Sequence, residues 1–431
     1  MKSILKTNLF NLLLLGLAVF FNSCESDDGG SDGSQQDPYT LSGNITESTT
    51  GVVNKVLHLN SDQVWTLKGR VSITNGLTLK IDPGTIIKGA SGTGSDASTL
   101  IIARGAKIDA QGTAENPIVM TSVLDNILAD GSYPSSGPAL GVGTRGLWGG
   151  LLILGNAPCS FKADATQLQI EGIPASDENG LYGGSDPADN SGIVTYLSIR
   201  HGGAEIGEGN EINGLTLGGV GSGTTINNVE VVANVDDGIE FFGGTVNASN
   251  LLVWGQGDDG IDIDQAYSGT ITNAMVVLTE ASDHAFEIDG PEGSAPGSFT
   301  IDGATIVGTN DDCAATGVDG EMADYRKGAT GATNNIYALN FTIEKDVELD
   351  ASADASSYTA KTLTFSNWDI QYPLADDDSV CEGETVDLIF DDKSNESTFE
   401  ADAATWAEIV TEKQADAGAD ETAFDWTFYK K

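Results

Sequence analysis

Apolar and polar residues alternate in short runs along most of the chain. Val71-Ser72-Ile73 and Leu77-Thr78-Leu79-Lys80-Ile81 each turn every second side chain to one side, the pattern of a half-buried strand. Asp82-Pro83-Gly84 supplies a turn, and Thr85-Ile86-Ile87-Lys88 begins the next strand. Leu100-Ile101-Ile102-Ala103 and Ile118-Val119-Met120 repeat the theme. Helical spacing is absent until about residue 401. There Ala401 to Gln414 predicts a helix with Asp402 as its N-cap, and Phe424 to Tyr429 predicts an aromatic end strand.

The strands recur. Asp236-Asp237-Gly238-Ile239-Glu240-Phe241 returns as Asp258-Asp259-Gly260-Ile261-Asp262-Ile263, and again as Asp283-His284-Ala285-Phe286-Glu287-Ile288. A matching strand led by Asn lies upstream of each: Asn228-Val229-Glu230-Val231, Asn250-Leu251-Leu252-Val253 and Asn273-Ala274-Met275-Val276. A unit of two or three short strands has no partner within itself and must stack on copies of itself. A period in the low twenties without a helix predicts one turn of a parallel β-helix. Leucine-rich repeats share the period but need a Leu/Asn signature absent here, and propeller blades need about twice the length. The fold class expected is therefore all-β, a right-handed parallel β-helix over residues 39–400. Loops at 125–145 and 172–192 are expected to project from one flank, and residues 401–431 to close the coil with a helix-plus-strand cap.

Charge narrows the function. The 431 residues carry 64 Asp+Glu against 20 Lys+Arg, a net of -44. Such a surface repels phosphate backbones, which excludes nucleic acid as a partner, and attracts cations. A hydrophobic share of 39% still supports a large core. The chain starts with Lys2, Lys6 and an apolar run from Leu9 to Phe21, short for a membrane span and right for a signal segment. Phe21-Asn22-Ser23-Cys24 resembles a bacterial lipobox, with Phe21 where Leu is usual. Residues 1–23 then read as a signal peptide and Cys24 as a lipidated anchor. Residues 24–38 form an acidic Gly/Ser tether, beginning Glu25-Ser26-Asp27-Asp28. Its acidic cluster resembles the surface-export signal of Bacteroidetes-type lipoproteins, which implies the outer membrane and the cell surface. Three further cysteines remain: Cys313 and Cys381 are able to pair, and Cys159 reads as a buried small hydrophobe.

The mature chain resembles right-handed β-helix surface lipoproteins of Bacteroidetes and related marine bacteria. The matching stretches are Leu79 to Gly89, Gly146 to Gly155, Ile170-Glu171-Gly172-Ile173-Pro174, Ile199-Arg200-His201-Gly202-Gly203 and Asp236 to Gly244. The resemblance implies the fold and no reaction.

Alternation assigns sides within the repeats. Ile239, Ile261 and Phe286 should point inward, as should Phe241, Ile263 and Ile288. Glu240, Asp262 and Glu287 then stack outside, with Asp264 and Asp289 two residues on. Asp236, Asp258 and Asp283 stack at the preceding turn beside Asp237, Asp259 and His284. Stacked carboxylates ~4.8 Å apart repel by roughly 3.5 kcal/mol per pair at an effective dielectric of 20. Hydration, raised pKa values or a bound Ca²⁺ would each relieve them; Ca²⁺ takes six to eight oxygens. Candidate metal ligands are thus Asp236, Asp237, Asp258, Asp259, Asp262, Asp264, Asp283, Glu287 and Asp289. Asp-Asp-Gly is equally a turn sequence.

Asp236, Asp258-Asp259 and His284 also resemble the layout of polygalacturonase-type glycosidases, whose paired carboxylates act as acid and base around a water. Here Asp-His-Ala stands for that family's Gly-His-Gly, and its Arg-Ile-Lys strand is missing; Arg326-Lys327 is the nearest basic pair, in a Gly-rich loop. His58 and His201 read as structural. Trp148, Trp254 and Tyr267 are either sugar platforms or core aromatics. Binding is the function the sequence favours, to a glycan, an envelope protein or a nutrient-uptake transporter. A polysaccharide-degrading enzyme is the alternative.

Overall fold

The computed structural model describes residues 38–206, 211–309, 320–341, 347–372 and 385–430. Cys24, the tether, Cys313 and Cys381 lie outside them. Twenty-five strands join in one hydrogen-bonded sheet that coils into a right-handed parallel β-helix.

The coil has three faces. The first carries residues such as Thr225–Asn227, Asn247–Ser249 and Thr270–Thr272 in parallel register. Each long strand then bends onto the second face through one left-handed residue. Asn228 (φ 53°), Asn250 (φ 54°) and Asn273 (φ 59°) occupy that bend, the asparagines that lead the repeats. Asn tolerates this conformation, and its amide binds the next rung: Asn273 Nδ2 donates to Asn250 Oδ1 at 2.7 Å. The third face stacks Leu151–Leu154, Leu215–Gly218, Ile239–Phe242, Ile261–Asp264, His284–Asp289, Glu321–Arg326, Val347–Leu349 and Phe390–Asp392. Ile239, Phe241, Ile261, Ile263, Phe286 and Ile288 all fill the central core, as alternation requires.

The expected loops are inserted between rungs and are fastened to the coil. Residues 156–190 fold back over the third face, where Phe161, Ile170, Ile173 and Tyr182 pack on Ile101, Leu152, Leu154 and Phe242 in a core of their own. The 125–145 segment is tied down elsewhere: Arg145 Nε donates to Gly255 O at 2.7 Å, and Tyr133 OH accepts from Arg200 at 2.9 Å.

The C-terminal expectation needs four corrections. The helix is Phe399–Ala403 only, and Ala407–Ile409 is a strand that adds a rung to the second face against Trp368–Ile370. Burial of Trp406 against Phe365, at 5.1 Å between ring centroids, overrides the weak helical propensity. Asp402 is not an N-cap: it lies inside the helix and accepts from Thr398 Oγ1 at 2.7 Å. The aromatic segment is not a strand; a 3-10 turn at Glu421–Phe424 leads into further turns. Nor does this segment close the end of the coil. It runs back along the second face, from Gly418 N on Asn335 O to Tyr429 N on Glu230 Oε1. The driving force is an outward apolar strip, Leu252, Met275 and Val277, which packs with Ala419 and Phe424.

Candidate functional site

Strand alternation puts one outward carboxylate on each of six successive rungs of the third face. The register runs Glu240, Asp262, Glu287, Asp324, Glu348, Asp391. The first three were expected from the repeats; the last three were missed. Insertions between Asp289 and Glu321 and beyond Leu349 break the sequence period, while the hydrogen-bonded register is restored. The detectable signal was alternation alone, His284-Ala-Phe-Glu287-Ile-Asp289 against Glu321-Met-Ala-Asp324-Tyr-Arg326.

The ladder faces outward but is not freely hydrated, contrary to a simple exposed stack. Asp237 (6% exposed), Glu240 (4%), Asp259 (4%) and Asp289 (4%) are buried. Asp262, Asp264, Glu287 and Asp236 are half-buried, and Asp258 and Asp283 are exposed. The structure brings them together in overlapping groups. One ligand atom from each of Asp237, Glu240 and Asp262 lies within 4.8 Å of the others, and so it is for Asp236, Asp237 and Asp258, for Asp258, Asp259 and Asp283, and for Asp259, His284 and Glu287. Asp237 and Asp259 also shape the turns: Asp237 Oδ1 accepts from Asp259 N at 3.0 Å, and Asp259 Oδ1 from His284 N at 2.8 Å.

Burial and mutual repulsion hold protons on the cluster. Burial, with the charges of Glu171 and Asp258, pushes Asp236 up to about 7. Burial, with Asp262 and Asp259 beside it, lifts Asp237 well above the carboxylate range; Glu240 and Asp262 rise for the same reasons. Burial, then Asp289, brings Asp264 to about 6, and Asp324 reaches about 7 mainly through burial. Burial opposes the charge on His284, but the hydrogen bond and charge of Asp259 outweigh it with help from Asp283 and Glu321, raising His284 to about 9. Its Nδ1 lies 2.9 Å from Asp259 Oδ1.

Among the described residues, the Lys and Arg ion pairs of this face lie in the distal half of the ladder. Arg326 sits at the end of a strand rather than in a loop, and its guanidinium grips Asp289 at 2.7 Å and also Glu287. Lys327 reaches Asp289, and Lys393 reaches Glu348 and Asp391. Among the described residues, no Lys or Arg ion pair reaches Asp236, Asp237, Glu240, Asp258 or Asp262. Asn213, aligned with the Asp-Asp-Gly turns and also missed, donates from Nδ2 to Glu240. Its Oδ1, like Asp262 Oδ1 and Asp264 Oδ1, is buried without a hydrogen-bond partner. An all-oxygen donor set with orphaned buried oxygens fits a hard cation such as Ca²⁺ and does not fit zinc.

The remaining candidates are packing residues. His58 is exposed on a strand and pairs with Asp82 at 2.8 Å; His201 is buried on Thr144 O at 2.8 Å. Trp148 and Tyr267 are buried, and Trp254 packs on Tyr429 at 5.1 Å, so none offers a free sugar platform. Cys159 packs against Gly243, and burial pushes its thiol up to about 12. Among the described residues, no helix is long and apolar enough to cross a membrane.

The family model of the pectate-lyase-like β-helix domain matches residues 51–427. No curated protein matches the chain.

Proposed function

The chain belongs to the pectate-lyase-like β-helix domain family, and from that premise we propose a lipid-anchored cell-surface module that binds acidic glycan on the third face with the help of Ca²⁺. One observation carries the reading: the carboxylates of Asp236, Asp237, Glu240, Asp258 and Asp262 crowd together with no Lys or Arg ion pair among the described residues, while Arg326, Lys327 and Lys393 pair with Glu287, Asp289, Glu348 and Asp391 of the same face. Buried charge without a counter-charge is costly, so a cation or protons must offset it. Asp237, Glu240, Asp262 and Asn213 would hold the ion, with Asp236 and Asp258 at its exposed side. Bound there, Ca²⁺ would lower the local repulsion toward an anionic polymer and would supply a cation that the polymer's oxygens can ligate. The anchor rests on the Leu9 to Phe21 run and Cys24.

Calorimetric titration with a short oligogalacturonide tests the reading. Affinity should rise at least tenfold when chelator is replaced by CaCl₂, and Asp237→Asn with Asp262→Asn should remove that gain. Equal binding in chelator and in Ca²⁺ would refute it.

A second reading, glycoside hydrolysis, is favoured by the His284–Asp259 pair at 2.9 Å and by Arg326, which pairs with the same Glu287 that lies 3.8 Å from His284 Nδ1. The charged His284 and a protonated Asp236 are acids, and Asp258 is the exposed base. The nearest oxygens of Asp236 and Asp258 approach within 4.8 Å. That is closer than the ~6.5–9.5 Å that admits a water in inverting enzymes and nearer the ~5–5.5 Å of retaining ones. Release of reducing ends from polygalacturonate, abolished in Asp258→Asn, would support this reading; no release at any pH between 4 and 9 would refute it.

A further inference from the structure

We propose that the first face of the coil is a second, cation-independent binding site for an uncharged polysaccharide. Of the three faces, the second is covered by the returning C-terminal segment and the third carries the acidic ladder. On the first face, Thr225, Asn247 and Thr272 are exposed. A groove of about 480 Å³ crosses three rungs there, lined by outward residues that include Ser222, Thr225, Asn227, Asn247, Ser249 and Thr270.

The register makes these groups an array. Thr225 lies beside Asn247, Asn227 beside Ser249, and Ser249 beside Thr272. Rungs stand ~4.8 Å apart, and alternate residues along one strand ~6.7 Å apart, so polar groups repeat in two directions. The amides are held in place. Asn227 Oδ1 accepts from Asn228 Nδ2 at 2.8 Å and from Asn250 Nδ2 at 3.0 Å, and Asn247 Oδ1 accepts from the Thr270 N–H at 2.9 Å. With both carbonyls engaged by the protein, each Nδ2 is left as a donor at the groove. Between them the Thr and Ser hydroxyls donate or accept. Such pre-organisation lowers the entropic cost of binding.

Charge selects the occupant. No charged side chain lines the groove, in a chain of net charge -44. The surrounding field repels an anionic polymer, and a cationic one is drawn to the third face instead. An uncharged chain of hydroxyls meets neither penalty and matches the mixture of donors and acceptors. The groove runs from rung to rung, so it takes a chain laid along the coil axis rather than a single small molecule. No aromatic side chain lines it, so the attraction is hydrogen bonding and is weak per sugar. A polymer engaging several rungs at once compensates.

Native electrophoresis through gels containing hydroxyethyl cellulose, galactomannan or soluble starch tests the proposal, with alginate as the anionic control and chelator throughout. Mobility is referred to a gel without polymer. At least one neutral polymer should retard the full chain, and alginate should not. Asn227→Asp with Asn247→Asp keeps every accepted hydrogen bond and removes the donors, so the dissociation constant should rise at least tenfold. Thr225→Arg, at an exposed position, blocks the groove by size and should do the same; an unchanged melting temperature shows that each variant is folded. Asp237→Asn with Asp262→Asn should bind as wild type does, which separates this site from the third face. Absence of retardation in all three neutral gels, retardation by alginate alone, or variants that bind as wild type does would overturn the proposal.

Discussion

Replacing Asp262 by Asn tests whether the ladder stores repulsion that a cation relieves. Asp262 lies in register between Glu240 and Glu287. At ~4.8 Å, each fully ionised pair costs roughly 3.5 kcal/mol at an effective dielectric of 20. Burial and the neighbouring Asp264 and Asp259 hold the Asp262 carboxyl well above the usual range, so protonation relieves part of this and the figure is an upper bound. Unfolding entropy of ~2.1 cal/mol/K per residue gives ~0.8 kcal/mol/K for a coil of about 390 residues. Relief of one pair then raises Tm by up to ~4 °C. For the wild type, Ca²⁺ at 100 times its Kd adds ~2.7 kcal/mol, or about 3 °C. The assay is calorimetric melting at pH 8 in chelator and in CaCl₂, with ionic strength matched by NaCl. Wild type should melt about 3 °C higher in Ca²⁺. Asp262→Asn should melt above wild type in chelator and lose most of the response to Ca²⁺. A wild-type Tm indifferent to Ca²⁺, together with a variant that melts no higher in chelator, would refute the reasoning and leave these residues as turn-formers alone.

Stability in chelator should fall as pH rises from 5 to 9. Asp236 and Asp324 (about 7) and Asp264 (about 6) bind protons more tightly folded than unfolded, so their contribution is complete below the ordinary carboxylate range near 4 and is lost as pH rises through 6–7. His284 acts in the same direction, its contribution present below about 6.5 and lost through about 9; a Tm that rises between pH 5 and 8 in chelator would contradict both. Phe424→Ala should cost ~3–5 kcal/mol, because Phe424 is fully buried on Leu252 and Met275, and limited proteolysis should then clip residues 411–430; an unchanged proteolysis pattern would show that the segment is held elsewhere. Cys24→Ala should abolish incorporation of labelled fatty acid, and Ala at Glu25, Asp27 and Asp28 should protect the protein from protease added to intact cells; equal labelling or equal shaving would remove the anchor or the export signal.

Much of the coil was legible because its determinants are local. Alternation assigns Ile239, Phe241, Ile261 and Ile263 to the core from any single strand, and stacking follows from a unit that cannot bury its own apolar side. Asparagine at the bends is equally local, since left-handed backbone selects it at Asn228, Asn250 and Asn273. The carboxylates from Asp236 to Asp289 were legible for the same reason: identical turns carry them to identical places.

Tertiary structure decided whatever depends on residues distant in sequence. The consecutive apolar positions Leu251 to Val253 and Met275 to Val277 depart from alternation, which signals burial on both sides, but nothing local says that Ala419 and Phe424 provide the cover. The same holds for Trp406, whose ring stacking and the Ala407–Ile409 rung outweigh a helical propensity of a few tenths of a kcal/mol per residue. Whether a carboxylate is neutralised depends on side chains delivered by other rungs. Arg326 reaches Glu287 and Asp289 only because an insertion of arbitrary length is absorbed between two strands whose register is then restored. Composition and spacing count the charges on this protein; the stacking of rungs determines which of them stand without a partner, because Coulomb energy follows distance in space and not along the chain.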